Sequence, residues 1–99
     1  MIAIPATGTT TLSLKSYLAH LNNATNADFL RVQVVGSSGT STVINRLGAA
    51  TNVGAAFVSQ SFDISAFAGD SVRIVVSSAD NATASLVEAA VDDVLITNE

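Results

Sequence analysis

The fold of this chain is decided by the stretch Leu86-Val87-Glu88-Ala89-Ala90-Val91-Asp92-Asp93-Val94-Leu95-Ile96. Its length and its content of Val, Leu and Ile predict a long β-strand, in which successive side chains alternate between two faces. Positions 90, 92, 94 and 96 then share one face, and positions 87, 89, 91 and 95 share the other. Since both faces are largely apolar, we expect a central strand that is covered on both sides.

Two adjacent carboxylates, Asp92 and Asp93, interrupt this strand. A strand directs one of them to each face, so at least one is expected to point toward protein. A buried carboxylate must be paired, hydrogen-bonded or bound to a metal ion. Asp92 shares its face with Val94 and Ile96, so we expect Asp92 to face the opposite sheet and Asp93 to reach solvent more easily.

The composition favours one small β-sandwich domain over residues 1–99. Hydrophobic residues make up 48% of the chain, charged residues only 12%, and the mean hydropathy is +0.48. Much of the apolar content is Ala and Val, and Ser and Thr fill the gaps, which is typical of strands rather than helices. Further strands are predicted over 2–5, 9–20, 29–35, 41–47, 56–64 and 71–77, with turn-forming segments between them. Strands at this spacing indicate an all-β antiparallel sandwich.

Charge and cysteine content exclude several classes of function. The net charge is −4, and the four basic residues, Lys15, Arg31, Arg46 and Arg73, are scattered along the chain. Nucleic-acid binding needs a basic stripe, and anionic membrane surfaces also attract positive charge. No apolar run reaches the roughly 18 residues that a membrane-spanning helix needs. Because the chain has no cysteine, it can form neither disulfides nor cysteine-based zinc sites. We therefore expect no nucleic-acid partner and no membrane insertion.

Three stretches occur in an order that resembles a known family. They are Asp28-Phe29-Leu30-Arg31-Val32-Gln33-Val34, then residues 62–74 (FDISAFAGDSVRI), then residues 85–94 (SLVEAAVDDV). This succession resembles the galactose-binding-like jelly-roll modules appended to secreted bacterial peptidases and glycoside hydrolases. It is also similar to MAM-type sandwich domains, and the resemblance covers roughly residues 10 to 97.

The resemblance implies a jelly-roll-like sandwich in a secreted bacterial protein, as part of a longer precursor. Such modules are accessory: they dock to a neighbouring catalytic domain or target it. They frequently hold a structural calcium ion and sometimes bind glycans on a concave face. Members of the family usually have additional strands upstream of the position that matches Ile2, so we expect these N-terminal strands of the full module to be missing here.

The residues do not predict an enzyme. His20 is the only histidine, and there is no Gly-x-Ser-x-Gly nucleophile motif. A glycosidase needs two carboxylates across a cleft, whereas Glu88 and Asp92, on one face of a strand, would lie about 13 Å apart. We expect no intrinsic hydrolase activity.

Two kinds of binding site remain open. For calcium, Asp92 is the best candidate ligand, and Asp28 and Asp63 lie in or beside turns, as do Asp70 and Asp80, so that they could converge. The alternative is that these are hydrogen-bonded turn aspartates without a metal. For a sugar, Tyr17 is the candidate ligand-binding residue, because it could be exposed. The four phenylalanines, Phe29, Phe57, Phe62 and Phe67, are expected in the core.

Three functions follow as alternatives. The first is the accessory role, with a neighbouring domain of the parent protein as the partner. The second is a lectin-like module that binds polysaccharide. The third is a structural or assembly protein that self-associates through exposed strand edges.

Overall fold

The computed structural model describes residues 1–20, 22, 25–79 and 87–99. These residues form seven strands and one short 3₁₀ turn at Ser65–Phe67. The strands are β1 (Ile2–Ala3), β2 (Thr10–His20), β3 (Phe29–Gly36), β4 (Gly39–Leu47), β5 (Val58–Asp63), β6 (Ser71–Ala79) and β7 (Val87–Asn98). The described residues contain no α-helix, and none of their helical segments is long and apolar enough to cross a membrane.

The strands form two antiparallel sheets. One has the order β1-β6-β3-β4, and the other has the order β5-β2-β7. The all-β prediction of two antiparallel sheets in a sandwich-like arrangement is thereby confirmed. The more specific assignment of a jelly-roll topology stays a prediction.

The core lies between the inward faces of the two sheets. Leu12 and Leu14 of β2 pack there with Val32 and Val34 of β3, as the period-2 alternation of these strands predicts. The other buried members of this cluster are Ile4, Ile44, Ile64, Phe67 and Val72. Phe67 belongs to the 3₁₀ turn, and its burial closes one end of the sandwich beneath that turn.

β2, and not β7, is the central strand of the three-stranded sheet. Among the described strands, β7 pairs only with β2, so the prediction that the last strand is central and covered on both faces is wrong. Val94 and Leu95 are 50% and 56% exposed. An apolar pattern on both faces does not distinguish a buried strand from an edge strand whose outward residues are exposed.

A β-bulge in β7 explains why the facing of Asp92 was also predicted wrongly. Ser13 lies opposite Leu95 and Lys15 lies opposite Asp92, so one residue of β2, Leu14, faces two residues of β7. One of these, Asp93, has a φ of 53°, in the left-handed region. The extra residue shifts the alternation by one position. Asp92 therefore points outward beside the exposed Lys15, while Ile96, opposite the buried Leu12, still points inward.

Candidate functional site

The outward face of the three-stranded sheet, called the outer face below, carries the candidate site. The alternation of β2 points Tyr17 and Lys15 to this face, because their neighbours Ser16, Leu14 and Leu18 are buried. Along each side of β2, the register then places the outward residues of the flanking strands. On the outer face lie Thr11, Ser13, Lys15 and Tyr17 of β2, Ser59, Ser61 and Asp63 of β5, and Ala90, Asp92, Asp93, Leu95 and Thr97 of β7.

Two aromatic rings form the apolar part of the outer face. The rings of Tyr17 and Phe57 meet edge to face, with centroids 4.9 Å apart and an interplanar angle of 75°. Such pairs contribute about 0.5–1.5 kcal/mol beyond their buried area. Phe57 is 49% exposed, and the residue opposite Tyr17 on β7 is the small Ala90. Tyr17 is half-buried and Phe57 is half-exposed, so the ring surface that Tyr17 and Phe57, the aromatic pair, offer to solvent comes mainly from Phe57.

The exposure of Phe57 corrects its expected place in the core. Phe57 immediately precedes β5, whose inward residues are Val58, Gln60 and Phe62. An odd-numbered residue of this segment shares the outward side with Ser59 and Ser61. The parity of the sequence was therefore the signal that could have placed this ring on the outer face.

Charged groups lie beside the aromatic pair, at the next outward-facing position of β2. Lys15 Nζ is 3.2 Å from Asp93 Oδ2, in an ion pair whose side chains are both well exposed. The Asp93 N–H donates to Asp92 Oδ1 at 2.8 Å, which fixes the Asp92 carboxylate against the bulge. Because Lys15 and Tyr17 are two residues apart on one strand, their Cα atoms are about 7 Å apart. The outer face thus combines aromatic rings with a cation and two carboxylates.

Asp28, the second predicted calcium ligand, is fully buried in the turn before β3. Its Oδ2 accepts a hydrogen bond from the Thr25 N–H at 3.0 Å, and its own N–H donates to the Thr25 carbonyl at 3.0 Å. The Gly48 N–H donates to the Asp28 carbonyl at 2.8 Å. Asp28 therefore joins the turn before β3 to the residue that follows β4.

Asp63, the third predicted ligand, ends β5 two residues before the 3₁₀ turn begins at Ser65. Its Oδ1 accepts a hydrogen bond from the Ser65 N–H at 2.8 Å. Hydrogen bonds from the Ser65 side chain and backbone lower the pKa of the Asp63 carboxyl below 3.8. Ser65 Oγ also accepts the Thr10 N–H at 2.9 Å, so this turn is tied to the start of β2.

The structure does not bring the predicted ligands together. Asp63 lies opposite Thr11 and Asp92 opposite Lys15, which separates them by about 13 Å along β2. Within residues 1–20, 22, 25–79 and 87–99, no three His, Cys, Asp or Glu side chains are grouped so that they could hold a metal ion. Asp80 lies outside the described residues. Calcium stays a prediction from the family resemblance.

Asp70 has a structural role that the sequence did not reveal. Its carboxylate accepts hydrogen bonds from the Ser37 N–H and the Ser37 hydroxyl, both at 2.9 Å, and from the Ser38 N–H at 3.4 Å. These bonds hold the β3–β4 hairpin loop against the start of β6. The Ser37 side chain is the main cause of the lowered pKa of the Asp70 carboxyl, and the backbone N–H groups of Ser71, Ser38 and Ser37 lower it further.

A small open pocket of about 250 Å³ lies beside this hairpin. Its apolar lining comes from Ile64, Ala66 and Phe67, and Asp63 also lines it. Ser38 of the hairpin loop and the first residues of β4, Gly39 to Ser41, supply the remaining wall. The pocket lies at the end of the sandwich that is closed by the 3₁₀ turn, and it does not include the aromatic pair.

His20 lies buried at the end of β2, where its backbone pairs with Val53. The His20 N–H donates to the Val53 carbonyl at 3.0 Å, and the Val53 N–H donates back at 2.8 Å. This backbone pair continues the β2 ladder past β5.

Comparison of the chain with protein-family models, with curated proteins and with solved structures found no match.

Proposed function

We propose that this chain is a non-catalytic accessory module, with a jelly-roll sandwich, of a longer exported bacterial protein, and that it targets this protein to polysaccharide through the outer face. The observation that carries the proposal is the aromatic pair Tyr17–Phe57 beside the Lys15–Asp93 ion pair. A neighbouring catalytic domain is the partner that such targeting serves.

The chemistry of the outer face suits a sugar. The apolar face of a pyranose ring packs on an exposed aromatic ring, and its hydroxyl groups bond to charged side chains nearby. Phe57 and Tyr17 supply the ring surface. Lys15 supplies donors and Asp92 supplies acceptors, at about 7 Å from Tyr17 along the strand direction. A sugar stacked on the aromatic pair would therefore have polar partners within reach of its edge.

Binding to insoluble cellulose, chitin and xylan, and to their soluble oligosaccharides, tests the proposal. We expect the wild type to bind at least one of these polysaccharides. Phe57→Ala and Tyr17→Ala should each weaken binding to that polysaccharide at least tenfold. The matched control is Leu95→Ala, which removes an exposed apolar side chain from the same face about 13 Å from Tyr17. Absence of binding to every sugar, or equal binding by Phe57→Ala, would contradict the proposal.

Hydrolase assays test the non-catalytic part. Peptidase, esterase and glycosidase substrates should be turned over no faster than in the buffer blank. Turnover by the purified chain that His20→Ala abolishes would show that the chain is an enzyme.

A further inference from the structure

Four of the described strands lie at the edges of the two sheets, and they differ in how they are protected against pairing with another chain. β1 has two residues and is followed within two positions by Pro5. β7 contains the bulge at Asp93. β4 contains an irregularity as well, because the register with β3 shifts between Ile44 and Thr42. Short strands, prolines and bulges all discourage strand addition.

β5 has none of these features. Its six residues pair with β2 in an uninterrupted register from Val58 to Asp63. Its first five residues, Val58-Ser59-Gln60-Ser61-Phe62, include no charge and no proline. Among the described strands, β5 has a neighbour on one side only. Its other side therefore presents a regular row of backbone donors and acceptors.

The side chains of β5 also point to missing cover. Val58 is on the inward side, opposite the fully buried Ser16, and yet it is 44% exposed. An inward-facing apolar residue of an edge strand is exposed when no further strand lies beside it. An added strand would cover it.

We propose that β5 pairs antiparallel with β5 of a second copy, about a two-fold axis at Gln60. The two three-stranded sheets would then form one six-stranded sheet. A second copy is a suitable partner because a two-fold axis brings the unprotected β5 edges of the two copies side by side. The backbone N–H and C=O groups of each edge then form hydrogen bonds with those of the other.

Two requirements place the two-fold axis at Gln60: paired residues must lie on the same face of the sheet, and their side chains must be complementary. Residues directly opposite each other in a sheet share a face, so the axis must pass through a residue and not between two. Centred on Gln60, the pairing sets Val58 opposite Phe62 of the second copy and Ser59 opposite its Ser61. Apolar then meets apolar, and hydroxyl meets hydroxyl. Centred on Ser61, the pairing would leave Val58 uncovered and set Gln60 opposite Phe62.

The charges allow this pairing. Asp63, the only charged residue of β5, lies beyond the five paired positions, so no two carboxylates lie opposite each other. A pairing of five residues from each copy is a small interface, and small interfaces are weak. We therefore expect a reversible dimer that is populated at high protein concentration.

Sedimentation equilibrium across a dilution series tests the dimer, with Val58→Lys as the blocking variant. An inward-pointing lysine on an edge strand opposes strand addition. The control is Leu95→Lys, which also replaces an exposed apolar residue by lysine, but on the other edge strand of the sheet. We expect wild type and Leu95→Lys to dimerise and Val58→Lys to dimerise at least tenfold more weakly. A wild type that stays monomeric at the highest concentration, or equal dimerisation of all three, overturns the proposal.

Disulfide trapping tests the register. Because the chain has no cysteine, only the introduced thiol can cross-link. Gln60→Cys would lie opposite its own copy across the axis, at a Cβ separation of about 4.5–5.5 Å, close enough to cross-link after small adjustments. Ser41→Cys, on the β4 edge, is the matched control. We expect mild oxidation to convert Gln60→Cys to a covalent dimer at least tenfold faster than Ser41→Cys. Equal rates for the two variants overturn the register.

Discussion

Lys15 Nζ lies 3.2 Å from Asp93 Oδ2, although the residue directly opposite Lys15 in the sheet register is Asp92. The bulge produces this relationship. The residue in excess on β7 has a positive φ, and its carboxylate lies on the same face as the lysine across the ladder. The outer face therefore carries both neighbouring carboxylates, and neither one is buried.

The bulge predicts how substitutions at Asp93 affect stability. A φ of 53° suits Gly and is tolerated by Asp, but it is costly for a β-branched residue. We expect Asp93→Val to lower the free energy of unfolding by about 1–2 kcal/mol, and Asp93→Gly to change it by less than about 0.5 kcal/mol because the lost ion pair is exposed. Urea unfolding measures both changes. A larger loss for glycine than for valine would contradict the bulge geometry.

The same geometry reverses the expected order of the two aspartates. An uninterrupted alternation would hold Asp92 inward, and on that basis Asp92→Ala would cost more stability than Asp93→Ala. Asp92 is exposed, whereas Asp93→Ala puts an alanine in the left-handed region at a cost of about 1–2 kcal/mol. We now expect Asp93→Ala to be the more destabilising change. Thermal melts of both variants, in calcium and in EDTA, measure the order and also test calcium binding. Bound calcium would raise the melting temperature relative to EDTA.

Asp70 and Asp63 predict a stability that falls in acid. Hydrogen bonds lower the pKa of each carboxyl in the folded chain below 3.8, and unfolding removes these bonds. Their contribution is complete above pH 3.8 and is lost as the pH falls through the folded-state pKa values. Melting temperatures between pH 6 and pH 2 should therefore fall less steeply for Asp70→Asn than for wild type. Parallel curves would show that the hairpin contacts are not linked to this carboxyl.

Ser16 predicts a stabilising substitution. Its side chain is fully buried in the central strand, and within the described residues its hydroxyl oxygen has no hydrogen-bond partner. A buried polar group without a partner costs about 1–3 kcal/mol, so we expect Ser16→Ala to raise the free energy of unfolding by about 1 kcal/mol. The control is Ser13→Ala, on the outward side of the same strand, which should change stability by less than about 0.5 kcal/mol. A loss of stability in Ser16→Ala would mean that the hydroxyl has a partner.

Leu12 and Leu95 test which strand is central. Leu12 of β2 is fully buried, so Leu12→Ala should cost about 2–5 kcal/mol. Leu95 of β7 is 56% exposed, and Leu95→Ala should cost less than about 0.5 kcal/mol. Chemical denaturation of the two variants gives the comparison. Similar losses would indicate that β7 is covered as well as β2.

The strands could be predicted from the sequence because their alternation and their turns are local features. The buried face of β2 follows directly from Leu12, Leu14 and Leu18. The order of the strands could not be predicted, because pairing is decided between residues far apart in the chain. The outward direction of Asp92 could not be predicted, because the sequence Val91-Asp92-Asp93-Val94 is compatible with a strand with or without a bulge. Of the candidate site, the sequence indicated Tyr17 but placed Phe57 in the core.

The bulge in β7 has a consequence for comparing sequences. On its N-terminal side, inward positions are odd, as with Val91 opposite Ser16, and on its C-terminal side they are even, as with Ile96 opposite Leu12. A sequence without the bulge keeps one parity along the whole strand. An alignment of the two that introduces no gap at Asp93 would match outward residues with inward ones over half of the strand. Relatives of this chain are therefore best aligned in two blocks, on either side of that residue.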